Sequence, residues 1–294
     1  MRAIGIDLGG TSAKIGALED GKILERAAVQ TRQDSDYGGI LRDLAAAAGT
    51  LAEKYGAERV GIGSPGLIDR AGRRVCYSNN IRWNDAPLGL DLERELGLPV
   101  RMANDAKCAA LGEALCGAGR GYSRVLMLTL GTGVGGGFVE NGKLAAGSLY
   151  ADAAEIFGHI TVEYVGRQCT CGRRGCLEAY CSATALMRRG REVFGREVSA
   201  KEIFALAGSG NAAAAELTEE FAEYLAAGAV SLANALRPQA IVFGGGVSGS
   251  AGDFLPIIDR HLKEEVYGYA FAPVKAVAAQ LGNDAGMIGA ALLQ

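Results

Sequence analysis

Residues 3–18 read AIGIDLGGTSAKIGAL: an apolar run, the segment Asp7-Leu-Gly-Gly-Thr11, and a second apolar run. Apolar runs on both sides of a glycine pair spell strand, tight turn, strand. Ile23–Gln30 extends the pattern with a third strand. The plan returns at residues 125–140, VLMLTLGTGVGGGFVE. There Val125–Leu130 reads as a strand, and Gly131–Gly137 turns it into a second strand ending at Glu140. Two uses of one plan point to two related halves.

Around these hairpins strands alternate with helices. The spacing of apolar residues predicts helices over residues 40–55, 90–96, 106–115, 177–191, 200–206, 211–236 and 284–292, with further strands over 60–63, 100–103 and 240–243. Such alternation builds mixed α/β layers. At 294 residues the chain exceeds one ordinary core. We expect an N-terminal domain over residues 1–116, rejoined by a C-terminal helix at 284–294, and a larger domain over 117–283. The composition is 49% apolar and 6% aromatic, so the cores are aliphatic. Net charge is −3 with mixed signs, which offers no electrostatic footprint for nucleic acid or an anionic membrane. No long apolar stretch marks a leader or a bilayer span. A cytoplasmic globular protein is the expectation.

Three glycine turns, Asp7–Thr11, Gly131–Gly137 and Gly244–Ser248, each follow an apolar strand. Bare backbone amides at strand ends form concavities for anions, and missing side chains let phosphate approach closely. Thr11 and Thr132 add hydroxyl donors, and Asp7 is suited to hold a magnesium ion through water. None of the turns fits the dinucleotide or P-loop glycine patterns. Asp105 stands where a strand gives way to a helix. It is either a helix cap or a carboxylate that takes a proton from a substrate hydroxyl. Asn80, Asn104, Glu155 and Glu178 are short polar groups of the kind that grip a polyol.

His159, Cys169, Cys171 and Cys176 fall within eighteen positions, separated by Gly172-Arg-Arg-Gly175. An apolar core needs no Cys-x-Cys followed by Gly-x-x-Gly, and an odd count of seven cysteines without a secretion signal argues against disulfides. Four borderline ligands at this spacing suit tetrahedral zinc. Cys181 competes for the fourth position, for which His159 is preferred. Cys76, Cys108 and Cys116 read as small core residues.

Together these residues resemble the ROK sugar kinases, within the actin/hexokinase-like ATPase superfamily, over nearly the whole chain. Asp7-Leu-Gly-Gly-Thr11 and Leu130–Gly137 match the family's two phosphate motifs, Gly244–Ser248 resembles its adenosine-side turn, and Asn104-Asp105 matches its base strip. The cysteine segment is the most specific match. The resemblance implies two actin-like (ribonuclease H-like) mixed-sheet domains with helices on both faces, nucleotide and sugar lying in the cleft. It implies an ATP-dependent kinase for the 6-hydroxyl of a hexose, glucose first, with Asp105 as general base. Gly66, Asn80, Asn104, Glu155, His159 and Glu178 would hold the sugar. Asp7, Gly9, Gly10, Thr11, Lys14, Gly131, Thr132, Gly133, Gly135, Gly245 and Gly246 would hold magnesium-bound ATP, and His159, Cys169, Cys171 and Cys176 a structural zinc ion. His159 would serve twice, one ring nitrogen on the metal and the other toward the sugar. The family usually has Glu-x-Gly-His, whereas Glu155-Ile-Phe-Gly-His159 carries one extra residue.

Fructose, mannose, allose, N-acetylmannosamine or N-acetylglucosamine are the alternative substrates. Relatives that repress transcription carry a winged helix ahead of the first phosphate motif, whereas Asp7 follows Met1 by six positions. A filament-forming or chaperone-like ATPase is the third reading, against which the cysteine cluster and Asn104-Asp105 argue. Homodimers or homotetramers are common among such relatives.

Overall fold

The computed structural model describes residues 1–31, 36–145 and 156–294. The first part of the chain runs β1 Arg2–Leu8, β2 Ser12–Glu19, β3 Lys22–Gln30, α1 Tyr37–Tyr55, β4 Val60–Ser64, β5 Leu67–Ile68, β6 Val75–Ser78, β7 Trp83–Ala86, α2 Leu88–Leu96, β8 Val100–Asn104 and α3 Asp105–Cys116. There follow β9 Arg124–Leu130, β10 Val134–Glu140, β11 Lys143–Leu144, α4 Glu178–Cys181, α5 Ala183–Phe194, α6 Ala200–Gly208 and α7 Ala212–Leu236. The chain closes with β12 Ala240–Gly244, α8 Ala251–Glu265, β13 Lys275–Ala278 and α9 Ala285–Ala291. The fold is mixed α/β.

Two compact units form: Met1–Arg120 with Gly137–Glu155 and Asn283–Gln294, and Gly121–Gly136 with Ile156–Gly282. The first unit's main sheet has the order β3-β2-β1-β4-β8. β1 is antiparallel to β2 and parallel to β4, and β4 is parallel to β8. A second five-stranded sheet runs β11-β10-β9-β12-β13, so both sheets place their first strand in the centre with the hairpin partner on one side. β10 begins in the second unit and ends in the first.

The core of the first unit is aliphatic: Ile4, Ile6, Leu8, Ile15, Leu44, Ile62 and Leu88 are almost wholly buried. Helix α9 seats on this sheet at backbone distance. A Cβ added at Gly5 would stand 2.1 Å from Met287 O, and one at Gly61 would stand 1.7 Å from Ala290 O. On the other side of the helix, a Cβ at Gly289 would lie 1.6 Å from Cys108 O in α3. Real atoms never approach so closely, so these positions admit glycine alone. In the second unit, α7 and α8 enclose aromatic packing: Phe254 lies 5.9 Å from Phe221 and 6.1 Å from Phe243 between ring centroids. Edge-to-face pairs at such spacing add about 0.5–1.5 kcal/mol beyond their buried area.

Several elements differ from the sequence expectation. Gly135, Gly136 and Gly137 lie inside β10, so the second turn is confined to Gly131–Gly133. The strand needs glycine there because a Cβ at Gly136 would fall 2.2 Å from Met127 O. The helix expected over 177–191 breaks at Ser182, whose extended backbone (ψ 154°) and hydroxyl cap α5 at Ala185 N. The hairpin strands β5–β7 and edge strand β13 are too short to announce themselves in the sequence, and helix α8, although Phe254, Ile258 and Leu262 recur at helical spacing, is disguised by Pro256 inside it.

Gly61→Ala should force α9 off its seat and destabilise the protein by about 1–3 kcal/mol or more. Calorimetry should show a Tm lower by about 2–4 °C for each kcal/mol. An unchanged Tm would contradict this packing.

Candidate active site

Expected site residues gather in two groups, one in each unit. In the first unit, Asp7↔Gly63 and Ser64↔Asn104 pair across the parallel strands β1, β4 and β8. Asp7, Ser64 and Asn104 therefore stand together at the carboxyl ends of three adjacent strands, where open α/β sheets bind ligands. Asp7 is half-buried, and Lys14 Nζ lies 3.7 Å from its Oδ2. Burial pushes the Asp7 carboxyl up, only partly opposed by Lys14. Lys14 also donates to Asn283 O at 3.0 Å, which fixes its reach.

The first turn is held from behind. Gly9 N donates to Ser12 O at 3.0 Å, while Thr31 donates its amide to Thr11 O at 3.0 Å and its hydroxyl to Gly9 O at 2.6 Å. Thr31 is wholly buried, and sequence reasoning missed it; a lone threonine at a strand's end gives no signal. Gly10 comes close to Asn80, since a Cβ on Gly10 would be 3.2 Å from Asn80 O. Asn80 and Thr11 are exposed, open to ligand.

Asn104, rather than Asp105, caps α3. Its Oδ1 accepts from Ala106 N at 3.0 Å and Lys107 N at 3.4 Å, and its Nδ2 donates to Gly66 O at 3.2 Å. One amide hydrogen of Asn104 is left for a ligand. Asp105 is the first residue of the helix, half-buried, with Oδ1 accepting from Ala106 N at 2.9 Å. Burial raises its carboxyl above the usual 3.8, the Ala106 amide opposes the shift, and the Asp7 charge adds to it. A carboxylate so placed is a better proton acceptor than a free aspartate.

In the second unit β9 and β12 run parallel, pairing Thr129 with Gly244, so the second and third turns emerge side by side. Val247 N donates to Leu130 O at 3.2 Å, and Ser248 Oγ donates to Gly245 O at 2.7 Å. Gly131 and Gly246 have open space where a side chain would stand, and Thr132 is exposed. Ala183 N donates to Gly131 O at 2.7 Å, so the helix break at Ser182 supports the second turn. Gly135, in β10, is displaced from that turn into the strand.

The metal-ligand pattern converges. The ligand atoms of His159, Cys169, Cys171 and Cys176 all lie within 4.8 Å of one another. Zinc–sulfur and zinc–nitrogen bonds of about 2.3 and 2.05 Å in a tetrahedron give edges of about 3.8 Å between sulfurs and 3.6 Å from sulfur to nitrogen. The structure has Cys171 Sγ 3.7 Å from Cys176 Sγ and Cys169 Sγ 3.6 Å from His159 Nδ1. The donor set fits zinc. Cys169 and Cys176 are buried and Cys171 is exposed. Burial and the neighbouring thiols push Cys176 up to about 12, whereas the Arg173 amide lowers Cys171. Crowded thiols of this kind give up their protons together only to a cation. Cys181 points elsewhere, toward Phe221 O at 3.5 Å. Nearby, Glu178 opens α4, half-buried, and its Oε2 accepts from Val134 N at 3.1 Å. Glu155 lies outside the described residues.

The sequence profile of the ROK family matches residues 3–294. The chain belongs to the ROK family. This ROK chain is 36% identical to the glucokinase of Thermotoga maritima, over 99% of its own length and 96% of the relative's. Its fold is similar to the ROK hexokinase of Thermus thermophilus, with a TM-score of 0.87 and 34% identity over 99% and 97% of the two chains. It is also similar to a ROK family glucokinase from Streptomyces griseus solved with glucose and AMPPNP, with a TM-score of 0.80 and 36% identity over 99% and 98%. These neighbours have the actin-like two-domain fold, and this ROK chain shares it.

Elemental analysis of protein purified in zinc-containing buffer should find one zinc per chain. Cys176→Ala should reduce this at least tenfold; undiminished metal in that variant would show that the ion sits elsewhere.

Proposed function

We propose that this chain is an ATP-dependent glucokinase, which transfers the γ-phosphoryl group of ATP to O6 of glucose. The observation that carries the reading is Asp105: a half-buried carboxylate with a raised affinity for protons, at the carboxyl ends of β4 and β8, beside a glycine turn in the same unit. Likeness over nearly full length to the glucokinase of Thermotoga maritima supports glucose as the acceptor.

A sugar hydroxyl ionises only far above neutral pH, so its attack on phosphorus needs a base. In this reading Asp105 accepts the proton of the 6-hydroxyl as that oxygen bonds to the γ-phosphorus and the bond to the β-bridging oxygen breaks. ADP leaves. The rest is positioning and charge neutralisation. Amides of Gly10 and Thr11, together with those of Thr132 and Gly133, receive phosphate oxygens, while Gly9 and Gly131 use theirs inside the turns, on Ser12 O and Gly133 O, and keep side chains out of the phosphates' way; Lys14 adds a positive charge. Gly245 and Gly246 leave room for the nucleoside. Asn80, Asn104, Glu178 and the second ring nitrogen of His159 orient the hexose, with Gly66 shaping its floor; Glu155 belongs to the same proposal.

Magnesium is assigned to Asp7, whose half-buried carboxylate has one lysine alongside; the ion, when bound, would offset charge on the phosphates. Zinc is assigned to His159, Cys169, Cys171 and Cys176 as a structural ion that stiffens the loop before Glu178. The described residues include no helix long and apolar enough to cross a membrane. A cytoplasmic homodimer or homotetramer completes the reading.

Asp105→Asn should lower kcat by at least about 100-fold, the usual worth of a general base. Glucose binding, measured by calorimetry, should remain. Wild-type kcat/KM should fall tenfold per pH unit below the raised value of Asp105, because the protonated carboxyl can no longer accept. Substantial turnover in Asp105→Asn, or no ADP release with any hexose in the wild type, would overturn the assignment.

A further inference from the structure

Glu178 is tied at both of its oxygens within the second unit. Oε2 accepts the amide of Val134, the residue that follows the Gly131–Gly133 turn, at 3.1 Å. Oε1 accepts the hydroxyl of Thr170 at 2.9 Å and stands 3.8 Å from Cys169 Sγ. The fit is tight on the turn side, where a Cβ at Gly133 would come 2.5 Å from Oε2. A carboxylate offers about four acceptor positions. The amide and the hydroxyl take two, leaving others for a substrate hydroxyl.

Thr170 is the residue between Cys169 and Cys171. An ion that holds both flanking sulfurs fixes its backbone from each side and aims its hydroxyl at Glu178. The loop around it is already short and bonded: Cys169 N donates to Arg173 O at 2.8 Å, and Gly172 N donates to Cys169 O at 3.1 Å. The shortest side-chain link from this loop to Glu178 is the Thr170 hydroxyl, with Cys169 Sγ a longer contact beside it, and the link from Glu178 to the glycine turn is the Val134 amide.

We propose that Thr170 is a positioning residue whose hydroxyl locks the Glu178 carboxylate, so that the cysteine loop sets both the hexose contact and the shape of the Gly131–Gly133 turn. The inference rests on the kinase reading above, in which Glu178 faces sugar and that turn faces phosphate. The link between metal loop and nucleotide turn then falls to a residue outside the ligand set.

The test compares zinc-loaded wild type, Thr170→Val and Thr170→Ser. Valine keeps the shape and removes the donor, while serine restores it. Thr170→Val should raise the hexose KM and the dissociation constant of AMPPNP, the latter measured by calorimetry without sugar, about fivefold, the effect of one hydrogen bond of ordinary net strength. Its kcat should stay within about twofold, because the lost contact is made equally in ground and transition states. Thr170→Ser should match wild type on both readouts, and all three proteins should hold one zinc. Stripping the zinc should weaken AMPPNP binding to wild type and add little in Thr170→Val, since the two perturbations share one path.

Wild-type constants in Thr170→Val, or a defect that serine does not rescue, would overturn the proposal. Loss of zinc from Thr170→Val would also overturn it, placing the effect in metal retention. A wild type that consumes no ATP with any hexose would sink the kinase reading instead, while the AMPPNP comparison would still report on the Thr170 link.

Discussion

Backbone meeting backbone around α9 is the constraint on which the first unit depends. Gly5 and Gly61 in the sheet, and Gly289 in the helix, let main chains touch where any other residue would hold them apart. The seat of α9 governs more than stability. Gly286 lies against Asp7, for a Cβ there would stand 3.0 Å from the carboxylate carbon, and Gly112 brings α3 to the same helix. Asp7 and Asp105 thus take their places from one close-packed junction, and the burial that raises both carboxyls follows from that packing.

The second unit solves the same problem with different means. Its turns are held by hydrogen bonds with neighbours in space: Val247 N donates to Leu130 O, Ala183 N donates to Gly131 O, and the Glu178 carboxylate accepts from Val134 N. Each of these three groups belongs to a segment far from the turn in sequence. The cysteine loop is drawn into this scaffold because Glu178, two residues past Cys176, is the piece that reaches the turn.

Local patterns were legible where the physics is local. The hairpins at residues 3–18 and 125–140 and the helix that starts beside Asp105 follow from neighbours within a few positions, although the cap of that helix is Asn104 and not Asp105. The cysteine segment carried most information, because its spacing anticipates four potential ligand atoms within 4.8 Å of one another. Other features were hidden because they depend on tertiary packing. The three glycines at 135–137 look like a turn in sequence and form a strand because Met127 crowds Gly136. Ser182 looks like a mid-helix residue and instead ends one helix and caps the next. Thr31 and Thr170 become meaningful only through partners 22 and 8 positions away.

Assembling the first unit from three separated stretches of chain has a consequence for biosynthesis. Residues 283–294 supply the helix that fills the groove above β1 and β4, so a nascent chain cannot finish its opening unit until that stretch has been translated. Until then a glycine-lined furrow flanked by aliphatic side chains is uncovered, and the growing polypeptide is exposed to chaperones and to misassociation for most of its synthesis.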